Sequence, residues 1–266
     1  MIITDNQELS STDASQFATS GTHGALIFQA MLVSPEMFAF PSKKELTFEL
    51  MMRSATINAA QALNESGAAF ATFYYSQCNP DFWNLTGDGG FELRAGRQPA
   101  EAILDIFYNG SAYAFECATA MMIVLYKALI DTIGNERFNQ TFQHLYLWDW
   151  QNHPALSLRN VYRVGAGIPG DVRYFKNPDV NPATPQWQGE NVVDLSDDHY
   201  YGHGIGIMPA HTIIAELNKY RRIGSTTSAF LMTSATRPDF LTLAALAEGR
   251  QMDGIRIAAG SSFYAL

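Results

Sequence analysis

A cysteine with an acid beside it lies at the start of the most apolar segment of the chain. Cys117 follows Glu116, and the segment after it contains a single charge, Lys127, as far as Ile130. Apolar residues cover nearly every face of this segment, which predicts a buried central helix over 111–134. A thiol in the first two turns of a helix faces free backbone N–H groups and the helix dipole, which lower its pKa. Cys117 is therefore a candidate nucleophile, although a buried structural cysteine would show the same pattern.

Three further polar groups lie in apolar or glycine-rich surroundings. An unpaired buried carboxylate is energetically costly, so Glu116 beside the thiol and Glu190 before a hydrophobic strand both need a reason to be there. His203 lies between two glycines, which permit a close approach of the backbone. Each of these side chains alone could be structural. A cysteine on a helix followed by a histidine on a later strand is also the arrangement of papain-like thiol enzymes.

The pattern around these residues predicts several helices first and antiparallel strands later. Ser42 is the expected N-cap of a helix reaching residue 66, because Glu45 completes a capping box and apolar residues follow at helical spacing. Pro99 begins a second helix, through 107, and a third is expected at 211–222. The expected strands cover residues 68–75, 83–85, 91–94, 142–150, 172–175, 192–195, 199–208 and 229–232. This order favours an α+β fold over alternating α/β.

The length and composition of the chain predict one catalytic domain over 1–266. A chain of 266 residues is long for one domain and short for two, and its 47% of hydrophobic residues can form a sizeable core. Residues 1–24 are polar and are expected to form a loop or a partly ordered arm. Residues 151–171 are expected to be loop, and 241–266 a partly helical C-terminal extension.

The charge of the chain limits its partners. The net charge is −9 and no basic run exceeds two residues, so nucleic acid is not an expected partner.

The N-terminus lacks a basic-then-apolar export signal, and the longest apolar run is too short to span a membrane. We therefore expect a protein made in the cytoplasm that does not act at a membrane. The histidines show no ligand spacing and no acidic calcium loop is present, so we expect no metal and no cofactor.

Five ordered blocks closely resemble the spore-coat transglutaminases of Bacillus-type bacteria. The resemblance extends from about Met31 to Arg237, whereas the N-terminal arm, the 151–171 loop and the tail do not match. The blocks cover residues 113–120, 128–134, 174–178, 186–192 and 202–206. The resemblance implies a papain-like (NlpC-type) core in which a buried nucleophile helix packs on an antiparallel sheet.

The same resemblance assigns roles to residues of the blocks. It implies that Cys117 is the nucleophile, Glu190 its partner and Glu116 a partly redundant second partner, in a Cys–Glu dyad. His203 is carried over only as a neighbour of the site. The implied activity joins the glutamine of one protein to the lysine of another through a cysteine thioester, without calcium. The implied substrates are proteins with reactive glutamine and lysine, and the expected location is the spore coat in the mother cell.

Two other functions are compatible with the residue types. The first is a hydrolytic cysteine amidase or peptidase of the same fold that uses Cys117 and His203. The second is a non-enzymatic coat protein, since only 16% of the residues are charged and a surface poor in charge favours self-association.

Aromatic residues flank the expected site. We predict that some of them wall a narrow apolar passage around Cys117 that separates glutamine from lysine and excludes water. The alternative is that they belong to the ordinary core. The residues placed at or near the substrates are Tyr113, Trp148, Asp149, Trp150 and Trp187, with Phe115 as a further possible wall.

Overall fold

The computed structural model describes residues 1–250; helices come mainly from the first half of the chain and the main sheet from the second half. The helices are α1 (Gly24–Val33), α2 (Lys43–Glu65), α3 (Pro99–Tyr108), α4 (Cys117–Ile133), α5 (Asn135–Thr141), α6 (Ala210–Asn218) and α7 (Phe240–Ala247). The strands are β1 (Ile2–Thr4), β2 (Gln7–Leu9), β3 (Phe38–Phe40), β4 (Ala69–Phe70), β5 (Trp83–Leu85), β6 (Phe91–Leu93), β7 (Ala114–Phe115), β8 (Tyr146–Leu147), β9 (Leu158–Tyr162), β10 (Val172–Lys176), β11 (Gly189–Ser196), β12 (His199–Gly202), β13 (Gly206–Pro209) and β14 (Phe230–Pro238).

The largest sheet in the described part of the chain is antiparallel throughout. Its strand order is β13-β12-β11-β10-β14-β9. The buried helix α4 packs against β11 on one side and against the long helix α2 on the other. The predicted arrangement, a buried helix on an antiparallel sheet in an α+β fold, is therefore confirmed. β14 is the last strand along residues 1–250, yet it lies inside the sheet between β10 and β9.

The N-terminus of α2 forms as its capping residues predict. The Ser42 hydroxyl accepts a hydrogen bond from the backbone N–H of Lys44 at 3.2 Å and donates one to the Glu45 carboxylate. These contacts satisfy donors that a helix start otherwise leaves unpaired. The helix ends at Glu65, one residue before the predicted end.

The helix that carries the cysteine begins later than its apolar pattern predicts. Residues 111–116 do not extend α4; they form a short turn and the strand β7, which pairs in parallel with β4. The carbonyls of Tyr113 and Phe115 accept from the N–H groups of Ala69 and Ala71, while the N–H and carbonyl of Ala114 pair with Gln77, and the side chains of Ala114 and Phe115 are buried. The helical hydrogen bonds therefore start only after Glu116, and Cys117 becomes the first helical residue.

A fully buried group of charges joins α2 to the sheet. Arg53 of α2 donates to Asp171 at 2.7 Å, and Arg237 of β14 donates to the same carboxylate at 2.6 Å. Arg237 also binds Glu36 at 2.7 Å, and Arg53 binds Glu49 at 2.8 Å. Burial alone raises the pKa of Asp171, but the positive charges of Arg237 and Arg53 outweigh it and hold this pKa well below its ordinary value. Asp171 thus stays ionised, whereas burial raises the pKa of Glu49, and the cluster ties four segments of the chain together.

The N-terminal segment is not the free arm that its polar composition predicted. β1 pairs with β2 and β3, and a 3₁₀ helix follows at Ser11–Phe17. Ile2, Leu9 and Phe17 are buried in a second apolar cluster against α1 and α2. A few apolar side chains at strand and helix spacing were sufficient to anchor this region.

Three other local predictions were wrong in part. The expected loop 151–171 contains the edge strand β9, which pairs with β14. The expected strand 68–75 is only β4 followed by a 3₁₀ turn at Phe73–Tyr75, and the expected strand 142–150 is only β8. In each case the pairing partner is distant in sequence, so local pattern could not locate the strand ends.

The predicted C-terminal extension is described only in part. Its first residues form α7, which packs against α2, while residues 251–266 lie outside the described residues. Within residues 1–250, no helix combines the length and the apolar character that crossing a membrane requires.

Candidate active site

The thiol of Cys117 lies at the very start of α4 because an acidic residue caps that helix. Glu116 has extended backbone angles, and its Oε2 accepts a hydrogen bond from the N–H of Ala118 at 2.7 Å. Its other oxygen, Oε1, accepts one from the Cys117 Sγ at 3.0 Å. A glutamate is an unusual N-cap, since shorter Ser, Thr, Asp and Asn side chains are preferred. Here the same carboxylate both begins the helix and contacts the thiol.

The pKa of the Cys117 thiol is raised well above its ordinary value, opposite to the direction predicted from the helix position. Burial is the main cause, since the residue is 4% exposed. The negative charges of Glu190 and Glu116 add to it, while a backbone hydrogen bond from Asn191 acts in the other direction. The favourable field of the helix N-terminus is therefore outweighed by loss of water and by two carboxylates. Without a proton acceptor, the thiol stays protonated.

Glu190 supplies a buried carboxyl group beside this thiol. It lies near the start of β11 and is 4% exposed. Burial, followed by the charge of Glu116, raises the pKa of Glu190 well above its ordinary value, as the sequence predicted. Its Oε1 has no hydrogen-bond partner within residues 1–250. A Cβ placed on Gly202 would lie 2.8 Å from this oxygen, so the missing side chain of Gly202 makes room for the carboxyl group.

Two residues at the site were not identified from the sequence. The side-chain amide of Asn191 donates a hydrogen bond to the Cys117 Sγ at 3.3 Å. The ring of Tyr174 lies over Gly189, where a Cβ would come within 2.2 Å of its hydroxyl. Burial, then the charges of Cys117, Glu190 and Glu116, raise the pKa of Tyr174 to about 12. Both residues belong to motif blocks quoted above, but nothing in their local pattern distinguishes them from ordinary strand residues.

His203 is a neighbour of the site and lacks the geometry of a base for Cys117. Its ring stacks on Phe115 at 4.5 Å, and both ring nitrogens have partners, Nε2 at the Ala69 carbonyl and Nδ1 at the Tyr201 hydroxyl, each at 3.1 Å. Because a carbonyl only accepts, Nε2 carries the proton and Nδ1 accepts from the tyrosine. Burial lowers the pKa of His203 to about 4, so the ring is neutral at pH 7. In the alternative function, a hydrolase that uses Cys117 and His203, His203 would have to act as the base. The engaged ring nitrogens do not favour that role.

Asp149 and Trp150 line the cleft at Cys117, whereas Trp148 is not part of the lining. Asp149 has a left-handed φ of +50°, and its backbone N–H donates to the Thr119 hydroxyl at 3.0 Å. The indole of Trp148 donates to the Asp88 carbonyl at 3.0 Å and packs on Phe73. These contacts turn Asp149 and Trp150 towards the cysteine.

Trp148 does not line the cleft at Cys117, and three further predicted wall residues do not line it either. Trp187 stacks on Tyr220 with 4.1 Å between ring centres, and it packs with the cluster beneath α6. Tyr113 is 1% exposed and donates from its hydroxyl to Asp105. Phe115 is equally buried behind the cysteine, against His203. The predicted passage is therefore corrected: for these three side chains, the core alternative holds.

An open cleft of about 720 Å³ leads to the cysteine. One side is formed by Phe73 and the Asp149–Trp150 turn, and the other by β10, β14 and the start of β11. The charged residues in its lining are Glu116, Asp149 and Arg159. No group of three His, Cys, Asp or Glu side chains within residues 1–250 is arranged to hold a metal ion. Chemistry by this chain's own groups therefore centres on one thiol and two carboxyl groups.

The chain is similar to enzymes of one named class along almost its whole described length. A family model described as protein-glutamine gamma-glutamyltransferase matches residues 1–247. A protein of that name from Bacillus pumilus is 42% identical over 254 residues, which cover 96% of this chain and 100% of the relative. Another, from Halalkalibacterium halodurans, is 46% identical over 217 residues, 82% of this chain and 76% of the relative.

A solved structure has the same fold. The transglutaminase from Geobacillus stearothermophilus, solved without its C-terminal extension, superposes with a TM-score of 0.74 at 45% sequence identity. The match covers 80% of this chain and 100% of that structure.

The raised pKa of Cys117 predicts an unusual pH profile for its alkylation. In a Cys78→Ala background, the rate of iodoacetamide labelling should keep rising above about pH 8.5, where an ordinary thiol is already half ionised. Replacing Glu116 or Glu190 with Gln removes a negative charge and should speed labelling at a given pH. Mass spectrometry of Cys117 against pH measures both effects. A plateau already reached at pH 6 would mean a preformed thiolate and contradict the geometry above.

Proposed function

Because the chain belongs to the protein-glutamine gamma-glutamyltransferase family, whose members are acyltransferases, we propose that Cys117 is its nucleophile and that Glu190 and Glu116 are its proton acceptors. The observation that carries this proposal is a buried thiol at a helix start that donates a hydrogen bond to the Glu116 carboxylate and interacts electrostatically with the buried carboxyl group of Glu190. The thiol lines a cleft wide enough for a side chain to enter. His203, by contrast, is already engaged by two other groups.

The first half of the reaction acylates the cysteine. The Cys117 sulfur attacks the γ-carboxamide carbon of a glutamine side chain while its proton passes to the Glu190 carboxylate. A carboxylate with a raised pKa is a better base at neutral pH than an ordinary glutamate, which titrates near about 4.3. The C–N bond then breaks, and the departing ammonia takes the proton from Glu190. The products are a thioester and a carboxylate ready for the second half.

The second half transfers the acyl group to lysine. The lysine amine attacks the thioester carbon, gives up a proton to Glu190 and forms an isopeptide bond as the C–S bond breaks. The proton returns from Glu190 to the sulfur, which restores the thiol. Glu116 can take over this role because its Oε1 already accepts from the sulfur.

Two N–H donors are placed to stabilise the negative oxygen of each tetrahedral intermediate. The first is the backbone N–H of Cys117, which points out of the start of α4. The second is the side-chain amide of Asn191, which lies 3.3 Å from the sulfur and so close to any oxygen on the attached carbon.

We also assign the core to the papain-like type. A cysteine at the first residue of a buried helix that packs on an antiparallel sheet supports this assignment. We assign to Glu190 the role that histidine has in papain-like enzymes, because both ring nitrogens of His203 already have other partners.

Replacing Cys117 with Ala should abolish cross-linking and leave the fold intact, since a small apolar side chain suits the helix start. The assay is incorporation of a primary amine into a glutamine-containing protein, with thermal unfolding as the check on the fold. Loss of a covalent nucleophile removes orders of magnitude in rate, so residual activity above about one per cent would rule out Cys117. Cys78→Ala is the matched control: it should stay active, because Cys78 packs against the apolar core and is not part of the cleft lining.

Replacing the two glutamates should show that they partly substitute for each other. Glu190→Gln should lower the rate severely, within the range of about 10²–10⁴ that a general base contributes, but not to zero. Glu116→Gln should have a smaller effect, because Gln keeps an oxygen for the Ala118 N–H. The double change should cost more in log rate than the two single changes together. If the loss in log rate of the double variant equals the sum of the losses of the two single variants, the carboxyl groups act independently.

We further propose that the natural substrates are spore-coat proteins. The resemblance of the five sequence blocks, and relatives from Bacillus, support this location. A Bacillus strain in which this chain replaces the resident enzyme should make spores whose coats contain ε-(γ-glutamyl)lysine. The same strain with Cys117→Ala should lack it, and one with Cys78→Ala should keep it. Mass spectrometry after complete proteolysis of purified coats gives the isopeptide content; equal content in all three strains would place the substrates elsewhere.

A further inference from the structure

The two substrates differ in charge, and the cleft must treat them differently. The glutamine carboxamide is neutral, whereas a lysine side chain arrives as an ammonium ion because its pKa is about 10.4. Water competes with lysine for the thioester at far higher concentration. A group that binds the cation beside the thioester would raise the effective concentration of lysine there. Such a group has a role only if the acyl group is transferred to lysine, as proposed above.

Of the charged side chains in the cleft lining, two already have partners. Glu116 binds the Ala118 N–H and the Cys117 thiol. The guanidinium of Arg159 forms an ion pair with Asp239 at 2.9 Å. The carboxylate of Asp149 has no hydrogen-bond or ion-pair partner within residues 1–250.

The backbone of Asp149 is held in place relative to the nucleophile. Its N–H donates to the hydroxyl of Thr119, which is 2% exposed and lies two residues after Cys117 on α4. Its φ of +50° is left-handed, a turn conformation that aspartate tolerates, and it fixes the direction of the chain at this point. A half-buried carboxylate in a fixed position, without a partner of its own, is suited to an incoming cation.

The neighbours of Asp149 fit the rest of a lysine side chain. Trp150 and Phe73 line the cleft beside it, and Trp148 supports Phe73 from behind. A four-carbon stem packs well on aromatic faces while its charged end reaches a polar group. The apolar surface and the carboxylate therefore occur together on one side of the cleft.

We propose that Asp149 binds the ε-ammonium group of the acceptor lysine and so determines the preference for lysine over water. The ammonium loses two protons in the reaction. One passes to solvent before attack, which leaves the neutral amine, and the other passes through Glu190 to the departing sulfur of Cys117. Asp149 forms no covalent bond and takes part as a binding residue for the second substrate.

The test compares two nucleophiles that differ in charge. Asp149→Asn keeps the shape of the side chain and tolerates a left-handed backbone. One glutamine peptide is offered either a dansylated alkylamine, which is cationic at its primary amine, or hydroxylamine, which is neutral at pH 7. The KM for the alkylamine should rise about tenfold or more relative to that for hydroxylamine, as expected for a lost charge-assisted hydrogen bond. The share of thioester lost to hydrolysis, measured as free glutamate, should rise with it.

Several outcomes separate this proposal from its alternatives. Equal changes in KM for both nucleophiles would mean that Asp149 only supports the fold, and the proposal fails. Asp131→Asn, which removes an acid at the far end of α4, should leave both KM values unchanged. In the unaltered protein, added salt should raise the KM for the alkylamine and not that for hydroxylamine, and this holds whether or not the variant folds. Absence of both products from the unaltered protein would instead overturn the proposed transfer reaction.

Discussion

Three acidic groups lie close together in one largely buried corner of the active site, namely Glu116, Cys117 and Glu190. The electrostatic repulsion between their negative charges determines most properties of the site. Glu116, Cys117 and Glu190 cannot all be ionised there, because burial and the negative charge of Glu116 raise the pKa of both Cys117 and Glu190, and the charge of Glu190 raises that of Cys117 further. The corner must therefore hold at least one proton between them at neutral pH. That proton is the one that the reaction needs to move, so the same repulsion that destabilises the charged state prepares the chemistry. Gly202 and the start of α4 are the local features that make the crowding possible.

The corner could largely be predicted from the sequence. Glu116 and Cys117 are adjacent in sequence, and the apolar run that follows them predicts a buried helix. The acid and the thiol therefore had to lie together near the start of that helix. Glu190 precedes a run that had to be an inner strand, so its carboxyl group had to be buried and its pKa raised. The N-cap at Ser42 was visible because capping depends on side chains within three residues of one another. Local chemistry and binary pattern were sufficient for these features.

Other features depend on contacts that no local pattern contains. The direction of the Cys117 pKa was predicted wrongly because the helix position was visible in the sequence and the opposing charges were not weighed against it. Trp187 was assigned to the cleft because its sequence block also contains Glu190. In the structure its ring instead stacks on Tyr220. The strand β9 was missed because its pairing partner, β14, lies about seventy residues further on.

The place of β14 in the sheet determines when the molecule can first work during its synthesis. This strand brings Met232, Ser234 and Thr236 to the cleft, and it inserts between β10 and β9, which are made much earlier. It also brings Arg237 to Glu36, a partner 201 residues away in sequence. A nascent chain that has not yet released this strand lacks both a wall of the cleft and one of the two cations that neutralise Asp171. Contacts of such long range form late and slow folding. Reactivity towards neighbouring proteins is thus withheld until β14 has been synthesised and has paired with β10 and β9.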